Sequence, residues 1–288
     1  MSGAGDSAHS WSLSTRLKSG ARRLLGIHSQ SSVDPLPELD WLGSEIHGYF
    51  VPAGLLDASS ICYCVGAGDD ITFDTELARI YGCRVWVVDP TPEGREHFNR
   101  VGEAVRRGES ISALTGAPFE YRISAERFEL LRYLEIGVLD TTGTVRFYAP
   151  ARTGYVSHSP VMFQESGEYI DLPVDRLSRI MAREGHSAID LLKLEIEGSE
   201  YRVIESVIED KVDIKALLVE YDEVFWAKQS GRGHLFRIRE STRKLLRAGY
   251  RLAHSTDLFK RLFVREDVFE RLAALPRSTP AGAGGDRP

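Results

Sequence analysis

Residues 60–90 read SICYCVGAGDDITFDTELARIYGCRVWVVDP. Ser60 to Val65 is a short apolar strand that stops at Gly66. Phe73, Leu77, Ile80 and Tyr81 then recur at helical spacing, so Phe73 to Tyr81 is predicted to be a helix. Arg84 to Val88 is a second apolar strand, ended by Asp89 and Pro90. A strand, a crossover helix and a second strand within some thirty residues make the unit that builds parallel sheets.

The same alternation continues outward. Glu93 to Arg107 reads as a polar helix and Tyr133 to Leu139 as a third strand. Asp140 to Gly143 reads as a turn, and Thr144 to Tyr148 as a returning strand, which together predict a hairpin. Leu177 to Glu184 is a helix, and Ile189 to Ile196 is a fourth core strand ended by Glu197 and Gly198. Ser199 stands where it can cap a helix running through Ile208. Lys215 to Val219 is a further strand, and Leu235 to Arg247 a helix with Gly249 just beyond it as a C-cap. Tyr250 to His254 and Arg261 to Arg265 close the series as two strands. Repeated units of this kind imply an α/β fold, a mainly parallel sheet with helices on both faces. Ligands of such sheets bind beyond the carboxyl ends of the strands.

Composition narrows the classes. The chain has 288 residues with 36 basic and 42 acidic side chains, a net charge of −6, and 42% hydrophobic residues. That is ample for a core, and the acidic balance argues against a nucleic-acid partner. No run approaches the roughly 18 apolar residues of a membrane span. The 3 cysteines, Cys62, Cys64 and Cys83, do not make a disulfide framework. Cys62 and Cys64 lie roughly 6.6 Å apart on one strand face, which suits buried thiols in a reducing cytoplasm. Trp11 to Ile27 mixes leucines with arginines and has no continuous apolar core, so it is not an export signal. It reads as a frayed terminal helix or as a basic amphipathic helix for a membrane surface or a partner. The expected organisation is a flexible segment over 1–37, one domain over 38–275 and a disordered tail over 276–288.

The strand ends hold the chemistry. Gly66 and Gly68 permit a tight turn and close backbone approach to a ligand. Asp89 ends the next strand roughly 20 residues later, where an acid accepts hydrogen bonds from ribose hydroxyls. Together they point to an adenosine-type ligand. Ile71 stands where a dinucleotide turn has its third glycine, and Asp69 and Asp70 would repel a pyrophosphate. S-adenosylmethionine has no phosphate and carries an ammonium and a sulfonium, so an acidic turn suits it. No Gly-Lys-Ser/Thr phosphate loop is present for ATP.

In Asp190-Leu-Leu-Lys193-Leu-Glu195-Ile-Glu197-Gly198, period two places Lys193, Glu195 and Glu197 on one face. Lys193 and Glu195 are either a structural ion pair or a tuned carboxylate that positions or deprotonates a nucleophile. Thr153 to Gly167 is a polar loop whose His158, flanked by Ser157 and Ser159, is a candidate general base. Glu220 and Asp222 end the next strand and are candidate contacts to substrate hydroxyls, as is Ser157. Phe225 and Trp226 could stack on a sugar ring, though core packing is the simpler role, and His234 reads as a helix-start residue.

Three segments carry a resemblance: ICYCVGAGDDITFDTELARIYGCRVWVVDPTP, IDLLKLEIEGSEYRVIESV followed by ALLVEYDE, and the hairpin LEIGVLDTTGTVRFYAP. They resemble the FkbM family of S-adenosylmethionine-dependent methyltransferases, over most of residues 50–225. The resemblance implies the class I methyltransferase fold, a Rossmann-like doubly wound seven-stranded sheet whose last two strands are an antiparallel pair. It implies that Gly66, Ala67 and Gly68 contact the methionine part of the cofactor, with Asp70 completing that turn. It puts Asp89 and Pro90 at the ribose and Gly137 and Val138 near the adenine, with Asp140 a candidate for the adenine amine. Glu195 falls where many relatives have a catalytic or metal-binding Asp, and its extra methylene argues against a metal ligand.

The expectation is therefore an O-methyltransferase acting on a sugar or natural-product hydroxyl, with His158, Glu195 and Lys193 at the reacting groups. Its partners would be a small-molecule acceptor and, in a homodimer, a second copy of the chain. The alternatives are a catalytically inactive binding protein of the same fold and a nicotinamide-dependent oxidoreductase, which Ile71 opposes.

Overall fold

The computed structural model describes residues 32–113, 119–149, 158–161, 168–224, 233–256 and 259–276. The basic segment 11–27, Ser157 with most of the 153–167 loop, Phe225, Trp226 and the tail beyond 276 lie outside the described residues.

The chain enters through two strands, β1 (Leu39–Leu42) and β2 (Tyr49–Pro52), paired antiparallel. Then come β3 (Ile61–Val65), α1 (Thr72–Tyr81), β4 (Arg84–Val88), α2 (Pro92–Arg107), the one-turn helix α3 (Ala125–Phe128) and β5 (Leu131–Leu134). Three strands stand apart in a small sheet of their own: β6 (Gly137–Val138), β7 (Gly143–Tyr148) and β8 (Tyr169–Asp175). The main path resumes with α4 (Leu177–Glu184), β9 (Ala188–Leu194), α5 (Glu200–Glu209) and β10 (Asp213–Glu220). A 3₁₀ turn over Asp222–Val224, α6 (Gly233–Arg247), β11 (Tyr250–Thr256), β12 (Lys260–Arg265) and α7 (Glu266–Ala273) complete it.

The main sheet has 7 strands in the order β11-β12-β10-β9-β3-β4-β5. Its five inner and β5-side strands are parallel, and β12 runs antiparallel to both β10 and β11. This is the doubly wound, Rossmann-like arrangement expected from the alternation, including the antiparallel end pair. Period two sends Cys62 and Cys64 of β3 to one face, with Phe73 and Leu77 of α1, Phe98 and Val101 of α2 and Phe269 of α7. Tyr63 and Val65 go to the other, with Ile180 of α4, Val203 and Ile204 of α5 and Ile238 of α6. All three cysteines are buried free thiols. None of the described helices is long and apolar enough to cross a membrane.

Two expectations need correction. The third strand does not run from Tyr133 to Leu139, because Ile136 N–H turns back to Leu134 O at 2.9 Å and splits it. Leu131–Leu134 joins the main sheet, while Gly137–Val138 pairs parallel with β8. Nor does Thr144–Tyr148 return along the third strand as a hairpin; it pairs antiparallel with β8, which lies between β6 and β7. Leu139, Phe147, Leu172 and Val174 form a small core there, which makes β8 the better partner. Pro173 masked β8 in the sequence, since proline within a run argues against a strand.

Candidate active site

The strand β3 ends at Gly66, whose φ is +94°. A side-chain Cβ there would stand 1.9 Å from Glu195 O, so only glycine lets the turn cross the end of β9. At Gly68 a Cβ would meet nothing within 4 Å, which leaves the turn open on its outer side. Asp89, at the end of β4, ties this turn down. Its Oδ2 accepts from Ala67 N–H at 2.8 Å and Gly68 N–H at 3.2 Å. Its Oδ1 accepts from Thr91 N–H at 2.8 Å and Thr91 Oγ–H at 2.5 Å. Thr91 in turn caps α2 by accepting from Gly94 N–H at 3.1 Å, with Pro92 at the first helical position. Helix start, strand end and glycine turn are thus one hydrogen-bonded unit.

These elements wall a cleft of about 820 Å³, counted to its open mouth. Gly66, Ala67, Gly68 and Asp70 line one side, and Asp89 and Pro90 the end of β4. Gly137 and Val138 line it from the small sheet, His158 from the described part of its loop, and Glu195 from the end of β9. Ten of the candidate residues therefore meet around one space. Val88, Leu139 and Phe147 add an apolar wall, and Asp69 and Glu197 add acid.

Lys193, Glu220 and Asp222 do not line that space. Lys193 is 1% exposed and lies beneath it, with Nζ 2.9 Å from Glu195 Oε2 and donating to Gly66 O at 3.1 Å. Asp74 Oδ2 of α1 is 3.9 Å from the same Nζ, and both Asp74 oxygens are buried without a hydrogen-bond partner. Burial works against the Lys193 ammonium, but Glu195 and Asp74 outweigh it and keep the lysine charged. Burial pushes the Asp74 carboxyl up to about 6 against the pull of Lys193. Glu220 Oε2 lies 2.8 Å from Tyr49 Oη, whose single proton it shares with Glu195, and pairs with Lys260 at 3.1 Å, both behind Glu195. Burial and the nearby Glu195 charge raise its carboxyl to about 7. Asp222 Oδ2 accepts from Glu197 N–H at 3.0 Å. Burial and the neighbouring Glu197, Glu200 and Glu220 hold Asp222 well above the usual carboxylate range. Glu220 is the last residue of β10, whose two faces meet the two cores, and Asp222 is buried on the 3₁₀ turn that follows.

Glu195 is the centre of the network. Its Oε1 is 3.1 Å from His47 Nδ1, and its Oε2 accepts from Tyr49 Oη–H at 3.0 Å as well as from Lys193. Burial alone would raise this carboxyl, but Lys193, His47 and Lys260 together hold it well below the usual range. Glu195 is therefore an anion at neutral pH and a weak base. Glu197 does not continue the strand face, since β9 ends at Leu194 and Glu197 turns left-handed at φ +54°. Ser199 sits at the N-cap of α5, but its hydroxyl makes no cap hydrogen bond. Glu200 Oε1 accepts from Ile196 and Gly198 N–H instead, at 3.0 and 3.1 Å.

His47, Tyr49 and Lys260 were not foreseen. The turn between β1 and β2 carries His47 to the cleft, 148 residues from Glu195 in the chain. Gly43 and Gly48 between apolar runs are a hairpin signal, but nothing local says where that hairpin docks. Asp70 anchors it: its Oδ2 accepts from Ser44 Oγ–H at 3.0 Å and its Oδ1 from Thr72 N–H at 2.8 Å. Among the described residues no group of His, Cys, Asp and Glu side chains is placed to share a metal ion.

Fold and site together define a Rossmann-like α/β protein with a ligand cleft beyond the carboxyl ends of its parallel strands. A family model described as a methyltransferase FkbM domain matches residues 63–252, and the chain belongs to that family. It carries a methyltransferase domain. No curated protein matches the chain.

Proposed function

We propose that the protein transfers a methyl group from S-adenosylmethionine to a hydroxyl oxygen of a small molecule, a sugar or a natural-product scaffold. The observation that carries this reading is the character of the cleft. It combines a glycine turn with an outer face open to a ligand, an apolar wall of Val88, Val138, Leu139 and Phe147, and acids at Asp69, Glu195 and Glu197. A purine suits the apolar wall, and a ligand bearing ammonium and sulfonium suits the acids. Bound there, the cofactor would supply a methyl group on a positively charged sulfur.

Gly66, Ala67 and Gly68 would hold the methionine part, and Asp70 would fix the turn through Ser44 and Thr72. Pro90, Gly137 and Val138 would flank the adenine. Asp89 already accepts four protein hydrogen bonds, so its first task would be to shape the turn, with ribose hydroxyls sharing its lone pairs. Glu195 would orient groups at the acceptor side, Lys193 would keep it ionised, and His158 would line the acceptor entrance, with Ser157 a candidate contact to the acceptor. Glu220 and Asp222 would support from behind.

Calorimetric titration of the full chain with S-adenosylmethionine and its demethylated product tests this, with NADH as the control. Binding of the first two and not the third is expected. Asp89→Ala should weaken binding about 10- to 100-fold, the loss of one or two charge-assisted hydrogen bonds. Tight NADH binding, or unchanged affinity in the variant, would overturn the assignment.

A further inference from the structure

We infer that His47, paired with Glu195, is the general base that takes the hydroxyl proton of the methyl acceptor. This rests on the function proposed above and adds the residue that does the proton chemistry. His47 lies outside the matched family region, on the turn between β1 and β2.

Three observations place it. First, the ring lines the cleft beside the glycine turn and Glu195, with its side chain 28% exposed, so a ligand can reach it. Second, its Nδ1 faces Glu195 Oε1 at 3.1 Å. An ionised carboxylate only accepts, so Nδ1 carries the proton and Nε2 is left as the basic nitrogen. Third, both halves of the pair are fixed. Glu195 is clamped by Lys193 and Tyr49. His47 N–H donates to Ser44 Oγ at 3.0 Å, and Lys260 Nζ donates to Ile46 O at 2.6 Å, next in the chain to His47. A base held by a third, orienting group is the arrangement that proton transfer needs.

The charged groups around the ring agree with the role. Glu195 comes from the end of β9, Asp69 and Asp70 from the turn after β3, and Lys193 from β9 beneath; His158 and Glu197 share the cleft. Burial lowers the imidazole, but Glu195 and Asp70 outweigh burial and Lys193, so its pKa lies above the ordinary value. In the reaction the acceptor oxygen forms its bond to the methyl carbon, the carbon–sulfur pair stays on sulfur, and the hydroxyl proton moves to His47 Nε2. The imidazolium is neutralised by Glu195 until the proton leaves to water.

The test has two arms on the full-length chain. In the first, histidine-labelled protein is titrated by long-range proton–nitrogen NMR, as wild type and as Glu195→Gln, with His47→Gln for assignment. The expected result is an Nδ1–H tautomer for His47, a pKa above about 6.5 and a fall of at least about one pH unit in Glu195→Gln. An Nε2–H tautomer, or a pKa indifferent to Glu195, overturns the inference. In the second arm, tritiated S-adenosylmethionine is offered with crude lipid, glycan and metabolite extracts. His47→Gln and His47→Asn should lose about 100-fold or more in methyl transfer, within the range for a general base, and keep cofactor affinity within about threefold. Wild-type turnover in both variants overturns the inference while leaving the proposed function intact. Failure of the wild type to bind the cofactor overturns the proposed function, and the NMR arm then judges the His47–Glu195 pair independently. If no extract accepts label, the NMR arm decides alone.

Discussion

Lys193→Met removes the cation that faces both Glu195 and Asp74 beneath the cleft. The Lys193–Glu195 distance of 2.9 Å corresponds to an attraction of about 6 kcal/mol at an effective dielectric of about 20. Relieving the lysine of its own burial recovers part of that. The net loss expected on breaking a buried pair is about 3–5 kcal/mol. The sign of the pH dependence follows from the two states of Glu195. In the wild type its carboxyl is held below the ordinary value, so ionisation stabilises the fold above the unfolded pKa. Without Lys193, burial raises the same carboxyl, and stability is lost as pH rises through its new value. The gap between variant and wild type should therefore open below about pH 4.5, where the wild-type carboxyl already ionises, and grow with pH until the variant's carboxyl ionises as well. Urea unfolding followed by circular dichroism at several pH values measures it. Adding Asp74→Asn should restore about 1–3 kcal/mol to the lysine variant, since it removes the second uncompensated carboxylate. A Lys193→Met protein within about 1 kcal/mol of wild type at about pH 8, or one whose deficit does not vary with pH, would refute the ion-pair account.

Two further outcomes are expected. Burial raises Glu200 to about 8, and one of its oxygens has no partner. A carboxyl raised on folding costs stability as pH climbs from its unfolded value to its folded one, at up to about 1.4 kcal/mol per pH unit. Glu200→Gln should flatten stability between about pH 5 and 8, and a variant with the wild-type slope would contradict the assignment. Gly66→Ala should lower the melting temperature by on the order of 10 °C, because its Cβ would meet the Glu195 carbonyl at 1.9 Å. Gly68→Ala, whose Cβ enters open space, should melt within a few degrees of wild type, and equal losses at both glycines would argue against the crossing geometry.

The strand-ending turns were legible because each is written within a few residues. The apolar run of β3 breaking at Gly66, and β4 breaking at Asp89, need no distant information. The same holds for the alternation that dictates a parallel sheet, since crossover helices and strands differ in period. The small sheet was misread because strand pairing is a choice among partners. Thr144–Tyr148 would suit any neighbour with an apolar face, and Tyr169–Asp175 offered Leu172 and Val174 to Phe147. Period two likewise placed Lys193 and Glu195 together, but could not say that one would be sealed and the other would face the cleft.

The sequence by itself determined the fold class, the family and most of the cleft wall, because glycine turns, strand-end acids and the Asp-Leu-Leu-Lys-Leu-Glu run are local patterns. Only the tertiary structure decided what each charged group does. The ionisation of Glu195 depends on Lys193, two residues away, but also on His47, Tyr49 and Lys260 from both ends of the chain. Charges act through space, and the hairpin bearing His47 is held at Glu195 by packing on α1, through Tyr49 against Phe73 at 5.2 Å, and by the Ser44–Asp70 and Lys260–Ile46 hydrogen bonds.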